Sequence, residues 1–432
     1  MITAPAVLIV KPIDRASGAV RLPGSKSISN RALLLSALAE GETTLVHWLD
    51  ADDTAVMRTA LSKLGIVSRA VAGELVIIGC GGRIPTRIAQ LELGNAGTAF
   101  RSLTAALAFS GGSYELDGVS RMRERPIADL VDSLNRLGAD IRYLGVQGFP
   151  PLMVGPATQL LSDSATVKAS VSSQFLSGLL MALPLVAPDH GMRLRVEGKL
   201  ISEPYVELTL SLMKQFGVVV DRDGHDYIVP KSLYRSPGRL VVEGDASSAS
   251  YFLALGAIAR GPVRAEGVGS SSVQGDVRLA AALGEMGAHV EFGAHYVQAS
   301  APPDGMRLKG IDTDCNHIPD AAMTLAIVAL FAEGPSTLRN IGSWRVKETD
   351  RIAAMAAELR KVGAQVDEGH DWIRIVPPKQ FREATIDTYD DHRMAMCFSL
   401  VAAGGVPVHI RDPGCVAKTF PDYFDRLAEL VR

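Results

Sequence analysis

Cysteine is scarce in this chain. Only four occur in 432 residues, Cys80, Cys315, Cys397 and Cys415. None forms a CxxC pair, and their scatter gives neither a disulfide framework nor a zinc-ligand spacing. A reducing compartment, the cytoplasm, is the expectation that follows. Net charge is nearly absent too: 44 Lys+Arg against 47 Asp+Glu leave −3. There is no global basic field to draw a nucleic acid, so any anion binding must be local. No apolar run approaches the roughly 18–20 residues of a membrane span. The opening MITAPAVLIVKPIDR lacks the basic flank and small-residue cleavage site of a signal peptide. A membrane is therefore not an expected partner. HExxH, EF-hand and GxSxG patterns are missing, no GxGxxG opens a helix, and PGSKS falls short of a Walker A loop. Nothing here asks for a metal, a cofactor or a dinucleotide.

What is present is repetition. Six segments share a small or polar start, an Ala/Leu-rich run and, in five of them, a closing Gly: 27–41, 95–112, 172–187 (ending at Pro188 instead), 245–261, 320–334 and 390–405. Their starts fall roughly 70 residues apart, long for a solenoid repeat. A second phrase recurs between them as ALSKLGI (60–66), SLNRLGA (133–139), LMKQFGV (212–218), ALGEMGA (282–288) and ELRKVGA (358–364). It reads as an amphipathic helix end, a Gly in the left-handed C′ position, then a strand such as Val218–Val220 or Ala288–Val290. The sixth copy has no matching phrase. The unit is thus strand, buried helix, strand, amphipathic helix and one or two more strands. Helices apolar on all sides cannot lie on a surface. The economical arrangement groups them centrally with sheets outside, in two globes of three units; a doubly wound α/β fold is the alternative.

The polar starts of these helices carry the chemistry. A helix N-terminus binds anions through its dipole and unsatisfied N–H groups. Lys26 and Asn30 share a face at four-residue spacing, as do Ser27 and Arg31, and Gly97 and Arg101. Ser172, Ser173 and Gln174 add neutral donors. Taken singly, each reads equally well as an N-cap or a solvated side chain. RMRERPI (121–127) packs three arginines around Glu124, which also suits a surface loop with ion pairs. WRVKETDRI (344–352) places Lys347 and Arg351 four apart on a helix beside Glu348. Asp390, Asp391, His392 and Arg393 open the last buried helix, and Lys418 follows. Asp320 reads as an N-cap. The cations Lys26, Arg31, Arg101, Arg125, Lys347, Arg351, Arg393 and Lys418 surround the carboxylates Asp320, Glu348 and Asp391. That balance suits substrates bearing several negative charges.

LPGSKSISNRALLLSALA, LGNAGTAFR, RMRERPI, SSQF, SEPY, IPDAAMT, WRVKETDR, DDHRMAM and AKTFPDYF, in this order, closely resemble the EPSP synthase family, the 3-phosphoshikimate 1-carboxyvinyltransferases, from about residue 20 to 425. The resemblance implies an α/β fold, a two-domain inverted (inside-out) α/β barrel of six βαβαββ units, three per domain. It divides the chain into residues 1–24 plus 245–432 and residues 25–244. It implies transfer of the enolpyruvyl group of phosphoenolpyruvate to the 5-hydroxyl of shikimate 3-phosphate, releasing phosphate through a tetrahedral intermediate. No cofactor or metal takes part, and a cytoplasmic monomer is expected. By motif, Lys26 touches both substrates. Ser27, Arg31, Ser172, Ser173, Ser202, Ser343 and Lys347 hold shikimate phosphate, with Gln174 stacking on its ring and also near phosphoenolpyruvate, and Tyr205 lining the site. Gly97, Arg125, Arg351, Arg393 and Lys418 hold phosphoenolpyruvate. Asp320 is the base and Glu348 the proton donor to carbon, with Lys26 assisting.

Two positions depart from the family pattern: Ser343 replaces an Asn, and Ser102 replaces a Pro that would restrain φ within the helix. Glyphosate binds the family's phosphoenolpyruvate site, so Ser102 implies reduced sensitivity to it. Two rivals stand beside this reading. One is enolpyruvyl transfer to UDP-N-acetylglucosamine, which typically uses a loop cysteine absent from RMRERPI. The other is a non-catalytic anion-binding paralogue, against which Asp320 and Glu348 both speak.

Overall fold

The computed structural model describes residues 7–157, 159–303 and 306–432. Among them are the helices α1 (Lys26–Leu38), α2 (Asp52–Lys63), α3 (Gly97–Leu107), α4 (Ala128–Arg136), α5 (Ser173–Ala182), α6 (Pro204–Gln215), α7 (Ala246–Ile258), α8 (Leu279–Glu285), α9 (Ala322–Val328), α10 (Arg351–Lys361), α11 (His392–Ser399) and α12 (Tyr423–Leu430). Among the described residues, no helix is long and apolar enough to cross a membrane.

One four-stranded sheet pattern recurs five times, and a sixth sheet carries three of its strands. Ile88–Glu92 lies parallel to Ser113–Asp117, which is antiparallel to Leu152–Val154, which pairs in turn with Ile141–Tyr143. A parallel pair needs a crossover, and α3 supplies it; α4 follows the second strand. The same order holds for Ser164–Lys168, Met192–Glu197, Asp226–Val229 and Asp221–Asp223 with α5 and α6. It holds again for Asp312–Asp314, Ser336–Arg339, Trp372–Val376 and Gln365–Glu368 with α9 and α10.

The other three sheets are completed by strands distant in sequence. Glu42–Val46, which follows α1, takes its parallel partner from Arg239–Val241. Val263–Glu266, which follows α7, takes its own from Gly18–Arg21. Val408–Arg411, which follows α11, pairs with Ala384–Ile386 and with the N-terminal strand Val7–Val10. The sixth repeat, which looks unfinished in the sequence, is closed by the chain's own start and by α12. The chain divides accordingly into two compact units, Gly24–Val242 and the residues up to Pro23 together with Glu243–Arg432.

Each unit has its own hydrophobic core. Leu33, Leu34 and Leu35 in α1 are all buried, at 0%, 1% and 0% exposure. Three consecutive residues point three ways around a helix, so α1 is covered on every side. Burying each leucine contributes about 2 kcal/mol. α9 and α11 are buried at every position, and α7 at all but Ile258. The strands instead alternate, with Tyr114 and Leu116 turned in and their neighbours only partly covered. The glycines of the second phrase, Gly65, Gly138, Gly217, Gly287 and Gly363, all adopt positive φ, between 84° and 105°.

One strand starts later than expected. Val218 is not its beginning: its N–H closes the preceding helix onto Met213 O at 2.9 Å, and pairing begins at Asp221.

Candidate active site

In the Gly24–Val242 unit, Ser25 caps α1 by accepting from the Ile28 N–H. This leaves Lys26 and Ser27 in the first turn. Lys26 Nζ sits 3.5 Å from Asp53 Oδ2, and both side chains are largely buried. Arg31 is 3% exposed. Its Nε donates to Thr209 Oγ1 at 2.7 Å, and Nη1 donates to Ser27 O at 3.0 Å. Its guanidinium lies 5.9 Å from the Tyr205 ring centroid. Burial pulls its pKa down to about 10, against an opposing push from Tyr205, so it stays cationic at neutral pH. Ser202 precedes α6 in a left-handed conformation, φ 55°.

The start of α3 gathers a second group. A Cβ on Gly97 would lie 2.5 Å from Arg101 Nη1 and 2.7 Å from Arg125 Nη2, so the two guanidiniums close over this position and any side chain there must displace them. Arg101 Nη1 donates to Gln174 Oε1 at 3.1 Å. Arg125 Nη1 donates to Asn95 O and Oδ1 at 3.1 and 3.0 Å. Ser172 caps α5, accepting from Gln174 N at 3.2 Å, with Ser173 buried beside it. The other arginines of RMRERPI are less buried and make ion pairs, Arg121 to Glu124 and Arg123 to Asp117. Only Arg125 turns in.

In the unit containing Glu243–Arg432, the site centres on Arg351, 1% exposed. Its Nε donates to Asp391 Oδ2 at 2.7 Å, Nη1 to Asp320 Oδ1 at 3.0 Å, and Nη2 to Glu348 Oε2 at 2.7 Å and Asp391 Oδ1 at 3.3 Å. Burial opposes its charge, but Asp391, Glu348 and Asp320 together outweigh it and raise its pKa. Arg393 Nη2 donates to Asp320 Oδ2 at 3.0 Å, and its Nη1 to the Tyr251 hydroxyl at 3.2 Å. Lys347 Nζ is 3.5 Å from Asp320 Oδ1. Three cations thus interlock with three carboxylates, which is what makes so much buried charge tolerable. Ser343 is buried in the short turn before Lys347. Lys418 ends another such turn, where it counters the rise that burial imposes on the Asp390 carboxyl.

Two local expectations are corrected. Lys347 and Arg351 do not share a helix: Asp350 caps α10 by accepting from Ala353 N, so the helix begins at Arg351 and Lys347 is extended. They meet instead on Asp320. Asp320 is not an N-cap either. Ala321 holds that position without a side-chain cap, and the Asp320 carboxylate is taken by Arg351, Arg393 and Lys347. Sequence reasoning missed Asp53, Asn95, Thr209 and Tyr251. Asn95 lay inside a quoted motif and Tyr251 inside the repeat segment 245–261, where it reads as core; Asp53 and Thr209 sit on elements with no marker of their own.

All four cysteines are unpaired thiols, and no group of three or more His, Cys, Asp or Glu among the described residues could hold a metal ion. The family model for EPSP synthase (3-phosphoshikimate 1-carboxyvinyltransferase) matches residues 10–427. The 3-phosphoshikimate 1-carboxyvinyltransferase of Thiobacillus denitrificans is 62% identical over 425 residues, covering 97% of this chain and 98% of that protein. That of Cupriavidus taiwanensis is 58% identical over 431 residues, covering 98% and 99%. In three dimensions the chain is similar to an EPSP synthase from Acinetobacter baumannii, with TM-score 0.80, 26% identity and 98% of each chain covered. A chain whose helix mouths carry these cations, and which matches that family over nearly its whole length, belongs to the EPSP synthase family.

Proposed function

We propose that this chain transfers the enolpyruvyl group of phosphoenolpyruvate to the 5-hydroxyl of shikimate 3-phosphate in the shikimate pathway. The observation that supports it best is the shared anchoring of Asp320 and Glu348 on Arg351, with Lys347 and Arg393 also on Asp320. Asp320 takes the proton of the 5-hydroxyl as its oxygen bonds to C2 of phosphoenolpyruvate. Glu348 gives a proton to C3, turning the methylene into a methyl. In the resulting ketal phosphate the Glu348 carboxylate takes back a methyl proton as the C2–O bond to phosphate breaks, leaving the enol ether and phosphate.

Binding divides by unit. Lys26, Ser27, Arg31, Ser172, Ser173, Ser202 and Tyr205 serve shikimate 3-phosphate; Gly97, Arg125 and Gln174 serve phosphoenolpyruvate. From the other unit Lys347 and Ser343 join the first group, and Arg351, Arg393 and Lys418 the second. Arg351 spends four of its five N–H groups on carboxylates, and the remaining Nη1 hydrogen is directed to phosphoenolpyruvate. The reading includes the inside-out barrel for each unit, a monomeric cytoplasmic enzyme, and no cofactor or metal.

A phosphate-release assay with phosphoenolpyruvate tests it: release should require shikimate 3-phosphate and not occur with UDP-N-acetylglucosamine. The reverse dependence would favour the rival acceptor. Gly97→Ala should raise the KM for phosphoenolpyruvate about tenfold, a loss of ~1.4 kcal/mol, because the new methyl displaces Arg101 and Arg125. An unchanged KM would refute the cradle. Glyphosate should compete for the same place. Ser102 Oγ donates to Thr98 O at 2.8 Å inside an unbroken α3. A proline there removes an N–H and shifts Gly97, so Ser102→Pro should lower the glyphosate inhibition constant roughly three- to tenfold. Equal constants for the two proteins would end that idea.

A further inference from the structure

One fully buried carboxylate has no part in the steps above. Glu358 sits about two turns after Arg351 on α10 and is 0% exposed. Its Oε1 accepts from the Tyr389 hydroxyl at 2.7 Å, and its Oε2 accepts from the Asp387 N–H at 3.2 Å. Lys361 Nζ reaches the same Oε2 at 2.7 Å and donates to Asp387 Oδ2 at 2.7 Å. Both carboxylate oxygens thus hold the segment that leads into α11. In that segment Tyr389 and Asp390 are both left-handed, at φ 55° and 54°. Aspartate tolerates this conformation, but tyrosine rarely adopts it, and two such residues in succession persist only where the surroundings fix them. Asp391 comes next. It caps α11 by accepting from the Arg393 N–H at 2.9 Å, and its carboxylate takes Arg351 Nε and Nη2 at 2.7 and 3.3 Å. Residues 387–391 are therefore joined to α10 twice, through Asp391 at Arg351 and through Tyr389 and Asp387 at Glu358.

We propose that the Glu358–Tyr389 pair is a positioning clamp for the phosphoenolpyruvate site: it holds the left-handed turn at Tyr389–Asp390, and so sets where Asp391 grips Arg351 and where Arg393 enters α11. The inference rests on the reading of Arg351 and Arg393 as phosphoenolpyruvate ligands. An ion pair with Lys361 alone would leave Glu358 at the surface, whereas a carboxylate buried this completely is tolerated only with further partners. Those partners are the phenol and the backbone N–H of the segment ahead of Asp391. Burial, then the bond to Glu358, raises the Tyr389 phenol above its ordinary pKa, so it stays a donor. A shift of Asp391 changes two of the four hydrogen bonds that orient the Arg351 guanidinium, and with them the direction of its remaining N–H. The same shift moves the first turn of α11, where Arg393 stands. A misplacement of about 1 Å is enough to spoil the geometry of a bound reactant. Ser343 and Lys347 belong to a different turn, ahead of α10, so shikimate 3-phosphate should feel the clamp little.

Tyr389→Phe removes one hydroxyl and nothing else. The expected result is a KM for phosphoenolpyruvate about fivefold higher, a fraction of what a hydrogen bond to a charged group contributes. The KM for shikimate 3-phosphate should change less than about twofold and kcat less than about threefold. Glu358→Ala, which frees both the phenol and the Asp387 N–H, should raise the KM for phosphoenolpyruvate further. Glu358→Gln should restore most of that loss, because its oxygen accepts from the Asp387 N–H and its amide donates to the Tyr389 hydroxyl. Arg411→Met is a control: its exposed guanidinium pairs with Asp387 Oδ1 at 2.7 Å, and its loss should leave the parent's constants. A role in folding alone would lower the melting temperature and the active fraction, hence kcat, and leave both KM values unchanged; that result would overturn the proposal. So would a parent-like KM for phosphoenolpyruvate in Tyr389→Phe, an equal rise in both KM values, or the same rise in Arg411→Met. If Glu358→Ala does not fold, Tyr389→Phe decides alone. Arg393→Ala separates the two readings. If it keeps the parent's KM for phosphoenolpyruvate, the reading of Arg393 as a ligand fails, whereas a raised KM there beside a parent-like Tyr389→Phe refutes only this inference.

Discussion

Asp320→Asn will bind shikimate 3-phosphate and fail to turn it over. The side chain accepts from Arg351 and Arg393 and sits by Lys347. An amide of the same shape can still accept on one side, but on the other it turns N–H donors toward a cation. More to the point, it cannot take a proton. A positioned general base contributes roughly 10²–10⁴ in rate, so kcat should fall by about 10³ while the KM for shikimate 3-phosphate moves only a few-fold. Steady-state kinetics with calorimetric titration of the acceptor separates the two. A kcat within tenfold of the parent would assign the base elsewhere.

The largest effect on stability belongs to Arg351. Its guanidinium bridges Asp391, Asp320 and Glu348, with side-chain exposures of 1% for the arginine and 0%, 10% and 7% for the carboxylates. Removing one partner of a buried charge pair costs about 3–5 kcal/mol, and here one deletion takes a cation from three carboxylates at once, of which Asp320 keeps Arg393 and Lys347. Arg351→Ala should lower the melting temperature by about 10 °C or more and abolish turnover. Arg351→Lys should recover little, because an ammonium is a point charge and cannot span three carboxylates in a plane. The pH dependence carries a sign. Buried carboxylates that lose this shared cation repel one another, which favours their protonated forms in the folded variant. The stability of Arg351→Ala should therefore improve as pH falls from 7 to 5 and worsen as it rises. A variant with the parent's melting temperature at pH 7 would show that the bridge contributes nothing.

The helix openings were the most legible part of the site. Lys26, Gly97, Ser172 and Arg393 could be placed because each begins an all-apolar run, and a helix covered on all sides reveals its one polar end. The repeat was legible for the same reason: Leu33, Leu34 and Leu35 together exclude a surface helix. The strand exchanges were not. Arg239–Val241 and Val7–Val10 pair with strands far from them in sequence, and short alternating strands carry no mark of their partner. The pairing inside the site was equally hidden. Asp320 precedes an apolar run and so resembles a cap, yet two buried guanidiniums bind its carboxylate in place of the helix N–H groups. The i, i+4 spacing of Lys347 and Arg351 suggested a shared helix, but Asp350 is a better cap than any residue before it and starts α10 at Arg351. Asp53 lies in ordinary helical sequence, and only folding brings it to Lys26.

Turnover of phosphoenolpyruvate and shikimate 3-phosphate in D₂O, with the product read by mass spectrometry, tests the central claim most directly. Addition of a proton at C3 and its later loss should place deuterium in the vinyl methylene of the product in the parent, and Glu348→Gln should form little product of either isotope. A product made at the parent rate with an undeuterated methylene would contradict protonation of carbon by Glu348 and, with it, the addition–elimination account.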